Sequence, residues 1–426
     1  MEKDMKRVLT FFALLLKHAG TLFGSAFVLS GLLLAMPVLA QDTFTVRSAA
    51  DGAANTGNCV ANNPALSSNC SLRDAIAAAS AGDTIVFDLS ANSVITLNSG
   101  QLTLNRNNLT IDGSGSPGIA ISGGSGGNTS RVFEVPAGVT GVELKNLTVR
   151  DGNPGGGQNN NGGNILNAGT LTLTNCTVSN GRLQGQNFGA GIYNADTGSL
   201  TLTNATVSHN RSTNGAGGIY NSGALTLTGT TVHENNCNDD GSGIINAGTL
   251  HVVNSTVANN GVSQSGTGSG IHNTGTLVLI NATVMGNQGG GGNINNATSA
   301  SLSMTNTIVQ SCSGIVGTDN GGNIDTGAVC GFTHGNSSSN VSNANLALGS
   351  LSNNGGPTLT MLPGAGSVAI GHGLLGTCTS SPVNGVDQRG FPRAIPPATS
   401  CTSGAVEVLQ YTVLYDGNGE DSGNVP

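Results

Sequence analysis

The residues whose types could do chemistry are few and gather in one stretch. Glu234, Asp239 and Asp240 lie close together, with Arg211 upstream and Arg182 before it. Clustered carboxylates can hold Ca2+ beside a basic Arg, and two separated carboxylates can serve as acid and base. The same stretch also reads as a solvated loop, because Asp239-Asp240 beside Gly241 is an ordinary turn sequence. No catalytic role is therefore assigned; Glu234, Asp239, Asp240 and Arg211 stand as candidates only. His209 and His233 sit nearby, out of register with one another, and read as surface residues rather than ligands. No cofactor or metal is expected, and Ca2+ enters only if those carboxylates prove catalytic.

Composition limits what else is possible. Of 426 residues 67 are Gly, 51 are Asn and only 8% are charged, against about 25% charged in ordinary domains. Beyond Gln41 there are one Lys (Lys145) and nine Arg against twenty Asp and Glu. So thin a positive charge excludes nucleic-acid binding, which needs a phosphate-tracking patch. Disorder is excluded by the 37% hydrophobic content, because those residues recur with a period.

At the N-terminus Lys3, Lys6 and Arg7 precede an apolar stretch, and Val38-Leu39-Ala40 makes a small-residue cleavage site before Gln41. Residues 1–40 are expected to be a signal peptide, leaving no membrane span after its removal. The eight cysteines all follow it, and an even number in an exported chain suits disulfides. None has the CxxC spacing of a zinc or redox site. Neighbour pairing predicts Cys59–Cys70, Cys312–Cys330 and Cys378–Cys401; Cys176 and Cys237 could join only across two repeats.

The organising signal is a repeat. An Ile-x-Asn phrase followed by Leu-x-Leu and then by a Val recurs six times, with Asn167, Asn194, Asn221, Asn246, Asn273 and Asn296 spaced by 27, 27, 25, 27 and 23 residues. Leu-x-Leu has the period of a strand with one apolar face. No stretch carries an apolar face at helical spacing, and each unit is too short to bury a core alone. Stacked units bury Leu over Leu and Val over Val, the arrangement of a parallel β-helix. The inward set includes Leu171, Leu173, Leu200, Leu202, Leu225, Leu227, Leu277 and Leu279.

Stacked strands repeat every ~4.8 Å, a distance that lets one side-chain amide bond the next. Two asparagine ladders are therefore predicted. One comprises Asn175, Asn204, Asn254, Asn281 and Asn306, broken by Gly229; the other runs through the Ile-x-Asn residues. The outward threonines Thr170, Thr172, Thr174, Thr201, Thr203, Thr226 and Thr228 form a regular array of the kind ice-binding helices present, or simply reflect the preference of Thr for strands.

The ends carry a family likeness. Cys70-Ser71-Leu72-Arg73-Asp74-Ala75-Ile76 resembles the signature of CSLREA-domain proteins, with Asp74 for the usual Glu. Asn353-Asn354-Gly355-Gly356-Pro357-Thr358, Leu362-Pro363-Gly364 and Asp387-Gln388-Arg389-Gly390 resemble the choice-of-anchor Q region of bacterial surface proteins. There Gly371-His372-Gly373 follows Ala369-Ile370, where an Asp directly after Ala-Ile is usual. The likeness implies an exported bacterial right-handed parallel β-helix without an established activity. Many such helices resemble pectate lyases and polygalacturonases, which cut acidic polysaccharides; this is the context in which the carboxylates above would matter.

The resulting expectation is an all-β, right-handed parallel β-helix of about ten coils, roughly 50 Å long. It divides into a signal peptide 1–40, an N-terminal cap with a short helix at 41–88, the solenoid at 89–344, a C-terminal region at 345–408 and an acidic tail at 409–426. Expected function is adhesin-like or structural, with carbohydrate or a cell-surface ligand as partner. Polysaccharide cleavage and ice binding are the alternatives.

Overall fold

The structure is a computed structural model describing residues 41–124, 130–157, 160–238, 241–262, 270–289, 292–314, 317–327, 329–393 and 398–409. The expected signal peptide and nearly all of the expected acidic tail lie outside the described residues, as do Asp239 and Asp240.

One repeat makes one turn of the solenoid. Ile165–Asn167, Thr170–Thr174, Thr177–Ser179 and Arg182–Leu183 are successive strands, each paired in parallel with its equivalent in the next coil. Among the described residues, the Leu-x-Leu strands build a first sheet of eleven and the Thr-Val strands a second of ten. The Ile-x-Asn strands build a third sheet of nine, and two-residue strands a fourth of four. The chain is a right-handed parallel β-helix, and register is exact: Leu171 pairs with Leu200, Leu200 with Leu225, and Leu225 with Leu250. A one-residue slip would turn every leucine outward, so burial itself fixes the register. All eight leucines of the inward set are at most 1% exposed.

The bends follow from backbone chemistry. Between the first and second sheets seven successive coils turn on one left-handed residue: Asn146, Asn175, Asn204, Gly229, Asn254, Asn281 and Asn306 all have φ between 44° and 61°. Asn and Gly tolerate that region best, which is why the repeat places them there.

The N-terminal cap holds the helix Leu72–Ala78, opened by a capping box in which Ser71 Oγ accepts from the Asp74 N–H while Asp74 accepts from the Ser71 N–H. Leu72, Ala75 and Ile76 are buried against the first coils. Strand Thr43–Val46 already belongs to the first sheet, pairing with Thr84–Phe87, so the cap is continuous with the solenoid.

Beyond Ile324–Asp325 the chain leaves the coil and folds back along the bends between the first and second sheets. Thr358 Oγ1 donates to the Gly229 carbonyl at 2.9 Å, Gln388 Nε2 reaches Thr231 Oγ1 at 2.8 Å, and Arg393 reaches Asn254 at 2.9 Å. No helix among the described residues is long and apolar enough to cross a membrane.

Candidate functional site

The Ile-x-Asn residues form an unbroken internal ladder. Asn167 donates to Asn194, Asn194 to Asn221, Asn221 to Asn246, Asn246 to Asn273 and Asn273 to Asn296, each at 2.7 Å. All six are at most 1% exposed. The ladder begins at Asn167 because Val135 occupies its place in the preceding coil; Asn167 Oδ1 has no partner.

The other proposed row behaves differently. Amide contacts between its members and their neighbours survive only at the ends, Asn175 to Asn146 at 3.2 Å and Asn306 to Asn281 at 3.5 Å. In the middle, Asn254 turns to the C-terminal region, donating to the Val386 carbonyl and accepting from Arg393. Asn175, Asn204, Asn254, Asn281 and Asn306 are thus a row of left-handed bends rather than a continuous ladder.

A second buried ladder was not anticipated. Asn164, Asn210, Asn235, Asn260, Asn287 and Asn293 hand amide to amide over 2.8–3.0 Å. Its signal was a Val-x-x-Asn spacing at Val207, Val232, Val257 and Val284. It hid because at both ends a loop residue, Asn164 or Asn293, fills the position out of sequence.

Three disulfides close, Cys59–Cys70, Cys312–Cys330 and Cys378–Cys401, with Cα separations of 4.8, 4.9 and 6.6 Å. Cys176 and Cys237 do not meet: Cys176 follows the bend at Asn175, whereas Cys237 pairs in the fourth sheet beside Ser212. Burial pushes the Cys176 thiol up to about 12, so it acts as a small apolar residue.

Of the candidate catalytic residues, Arg182 and Arg211 stack in register on the fourth sheet and both are exposed. Glu234 is turned toward histidine: its Oε2 lies 3.0 Å from His209 Nε2 and 3.1 Å from His233 Nδ1. His209 is exposed, but His233, expected at the surface, is only 5% exposed, because its backbone is a strand residue in register with Ser208. Burial pulls the His233 pKa down, against the opposing charge of Glu234. Glu234 is thus engaged by imidazoles, while Asp239 and Asp240, the other two candidate carboxylates, lie outside the described residues.

The outer column of the third sheet is apolar and aromatic. Leu166, Tyr193, Tyr220, Ile245 and His272 succeed one another in register. The rings of Tyr193 and Tyr220 lie 5.2 Å apart and within 7° of parallel, with Phe188 leaning on Tyr220 at 5.0 Å. Gly215 makes room for Phe188, since a Cβ there would come within 2.3 Å of its ring. Both tyrosines remain partly exposed, and His272 Nδ1 has no hydrogen-bond partner. On the first sheet the threonine array Thr172, Thr201, Thr226 spans three coils and is bounded by Glu143 and His251.

No family profile and no curated protein matches the sequence. Among solved structures the chain is similar to the crystal structure of pectate lyase Pel9A, at 16% identity and a TM-score of 0.52, over 86% of this chain and 97% of that one. The likeness establishes the fold.

Proposed function

We propose that the protein is an exported bacterial surface or matrix component of the CSLREA and choice-of-anchor type, and that it binds carbohydrate rather than cutting it. The observation that carries this reading is the parallel pair Tyr193–Tyr220 on the outer third sheet. Flat, half-exposed rings offer a sugar ring a face for C–H contact, and their hydroxyls supply hydrogen bonds at the edge. The rigid ladder beneath fixes the spacing, so the platform is preorganised. Disulfides at both ends suit an oxidising compartment.

Binding is preferred to cleavage because Glu234, the one candidate carboxylate among the described residues, lies against His209 and His233 after a strand of the second sheet, whereas the tyrosines stand on the third. Ice binding is disfavoured by the three-coil limit of the threonine array.

The test is retention of protein from residue 41 onward on immobilised polysaccharides, with Tyr193→Ala and Tyr220→Ala beside it. Retention lost in both variants, with melting unchanged, supports the reading. Release of unsaturated or reducing sugar ends, with or without Ca2+, overturns it in favour of a polysaccharide lyase or hydrolase.

A further inference from the structure

Where the C-terminal region meets the end of the solenoid, an imidazole is bracketed by two hydroxyls. His372 Nε2 lies 3.0 Å from Ser338 Oγ, and His372 Nδ1 lies 3.3 Å from Ser403 Oγ. Ser403 is fully buried and its hydroxyl donates to the Gly322 carbonyl at 2.6 Å. A carbonyl can only accept, so the Ser403 proton is committed to Gly322 and its oxygen is left to accept from Nδ1–H. Nδ1 then carries the ring proton, and Nε2 presents its lone pair to the Ser338 hydroxyl. This is the protonation state that a general base needs, with nucleophile, base and orienting group in line.

The backbone holds each part. The Ser338 N–H donates to the Asn323 carbonyl at 2.8 Å and its own carbonyl accepts from Asp325 at 3.0 Å. His372 and Ser403 both donate their N–H to the Ala369 carbonyl, at 3.3 and 3.0 Å. Burial favours the neutral ring, drawing the His372 pKa down. The dyad opens into a cleft of about 600 Å³, lined also by Asn336, Leu374, Thr399 and Ser400. Glycine backbone, Leu374 and Leu375 make up much of its wall, with the hydroxyls of Thr399 and Ser400 and the exposed Asn336 as its polar lining.

We propose that Ser338 and His372 form an acyl-transfer site that hydrolyses short acyl esters of hydroxylated alcohols, sugars among them. Ser338 Oγ adds to the ester carbonyl carbon as its proton passes to His372 Nε2. The C–O bond to the alcohol breaks, and the alcohol leaves with that proton. Water then adds to the acyl carbon, giving its proton to Nε2; the bond to Oγ breaks, Ser338 regains the proton and the carboxylic acid departs. Ser403 acts as a positioning residue through Nδ1. This activity goes beyond the carbohydrate platform and uses none of its residues.

The test uses the chain from residue 41 onward with p-nitrophenyl acetate and triacetin, and a serine-reactive phosphonate mapped by peptide mass. Hydrolysis, with the label on Ser338, is the expected result. Ser338→Ala and His372→Gln should each lose about a hundred-fold or more in rate with unchanged melting. Ser338→Cys should give a thiol whose alkylation slows when His372 is also replaced with Gln, which a position uncoupled from the imidazole would not show. Ser403→Ala should lower the rate and shift the acid limb of the pH–rate profile, because Nδ1 loses its fixed acceptor. No hydrolysis, a label on another serine, or an unaltered rate in His372→Gln overturns the proposal.

Discussion

Arg393 lies with its guanidinium 2.9 Å from Asn254 Oδ1, across 139 residues of chain, and both side chains are buried. The same guanidinium donates to the Thr402 and Gly404 carbonyls and stands 3.6 Å from Glu407. A bend residue of the fourth repeat thereby becomes the docking point of the C-terminal region. Burial lowers the Arg393 pKa to about 10, still far above neutrality, so the group stays charged.

Replacing Arg393 with Met should therefore undock the C-terminal region while the coils persist. Truncating one partner of a buried ionic network leaves the other uncompensated, at a cost of about 3–5 kcal/mol. Differential scanning calorimetry should resolve an early transition ahead of the main one. A single transition at the native temperature would refute the docking role.

The two kinds of asparagine should respond oppositely to substitution. Asn221→Leu removes the donor to Asn246 and the acceptor of Asn194 in a dry interior, stranding polar groups at about 1–3 kcal/mol each. Asn175→Gly keeps the left-handed bend and forfeits only an exposed amide contact to Asn146, a change of at most about 1 kcal/mol. Urea titrations of both variants check the contrast, and an equal loss would mean that the bend row is also a structural ladder.

The contrast also marks what could be read in advance. Leu-x-Leu alternation and the Ile-x-Asn spacing are set by stacking, which repeats identically in every coil, so strands, inward leucines and one ladder were legible. The ladder through Asn210 and Asn235 was not, because Asn164 and Asn293 reach its ends from loops that do not obey the repeat. Asn254 was misread for a different reason: its partners, Val386 and Arg393, lie more than 130 residues away. The pairing of Ser338 with His372 and Ser403 is of the same long-range kind. The contact of Glu234 with His209, one coil before it, is not legible in the sequence because it forms only when the left-handed positions stack.

Stability should fall in two steps as the solution is acidified. His233 and His372 have pKa values held below the ordinary 6.5, in both cases chiefly by burial. Their unfolded forms take up protons first, so this contribution is complete above about 6.5 and is lost as pH drops from there toward their folded values. Asp74 and Asp319 are lowered below 3.8: burial alone would raise them, but donors led by Asn58 for Asp74 and His334 N–H for Asp319 outweigh it. Their contribution persists until pH approaches 3.8 and disappears as it falls through the folded values. Melting temperature against pH should show a plateau above 6.5 and both declines. A His233→Gln, His372→Gln double variant should lack the first.

The last expectation concerns the N-terminal cap. Cys59 and Cys70 enclose 11 residues of sequence separation, and the Cys70 carbonyl accepts from both Arg47 and Ser48 N–H beside the first strand. The bridge therefore ties the loop ahead of the helix Leu72–Ala78 to the strand Thr43–Val46 that ends the first sheet. Chain-entropy reasoning for a loop of this length gives about 3 kcal/mol of stabilisation. That stabilisation belongs to the cap, since the central coils share no residue with the loop. In a Cys59→Ser, Cys70→Ser variant, hydrogen exchange should quicken across 43–87 while protection at the leucines of 171–279 stays native. The uncovered edge of the first sheet can then pair with another copy. Light scattering should rise on warming before the main transition, and protein in which both measurements match the disulfide-bonded form would refute the capping role.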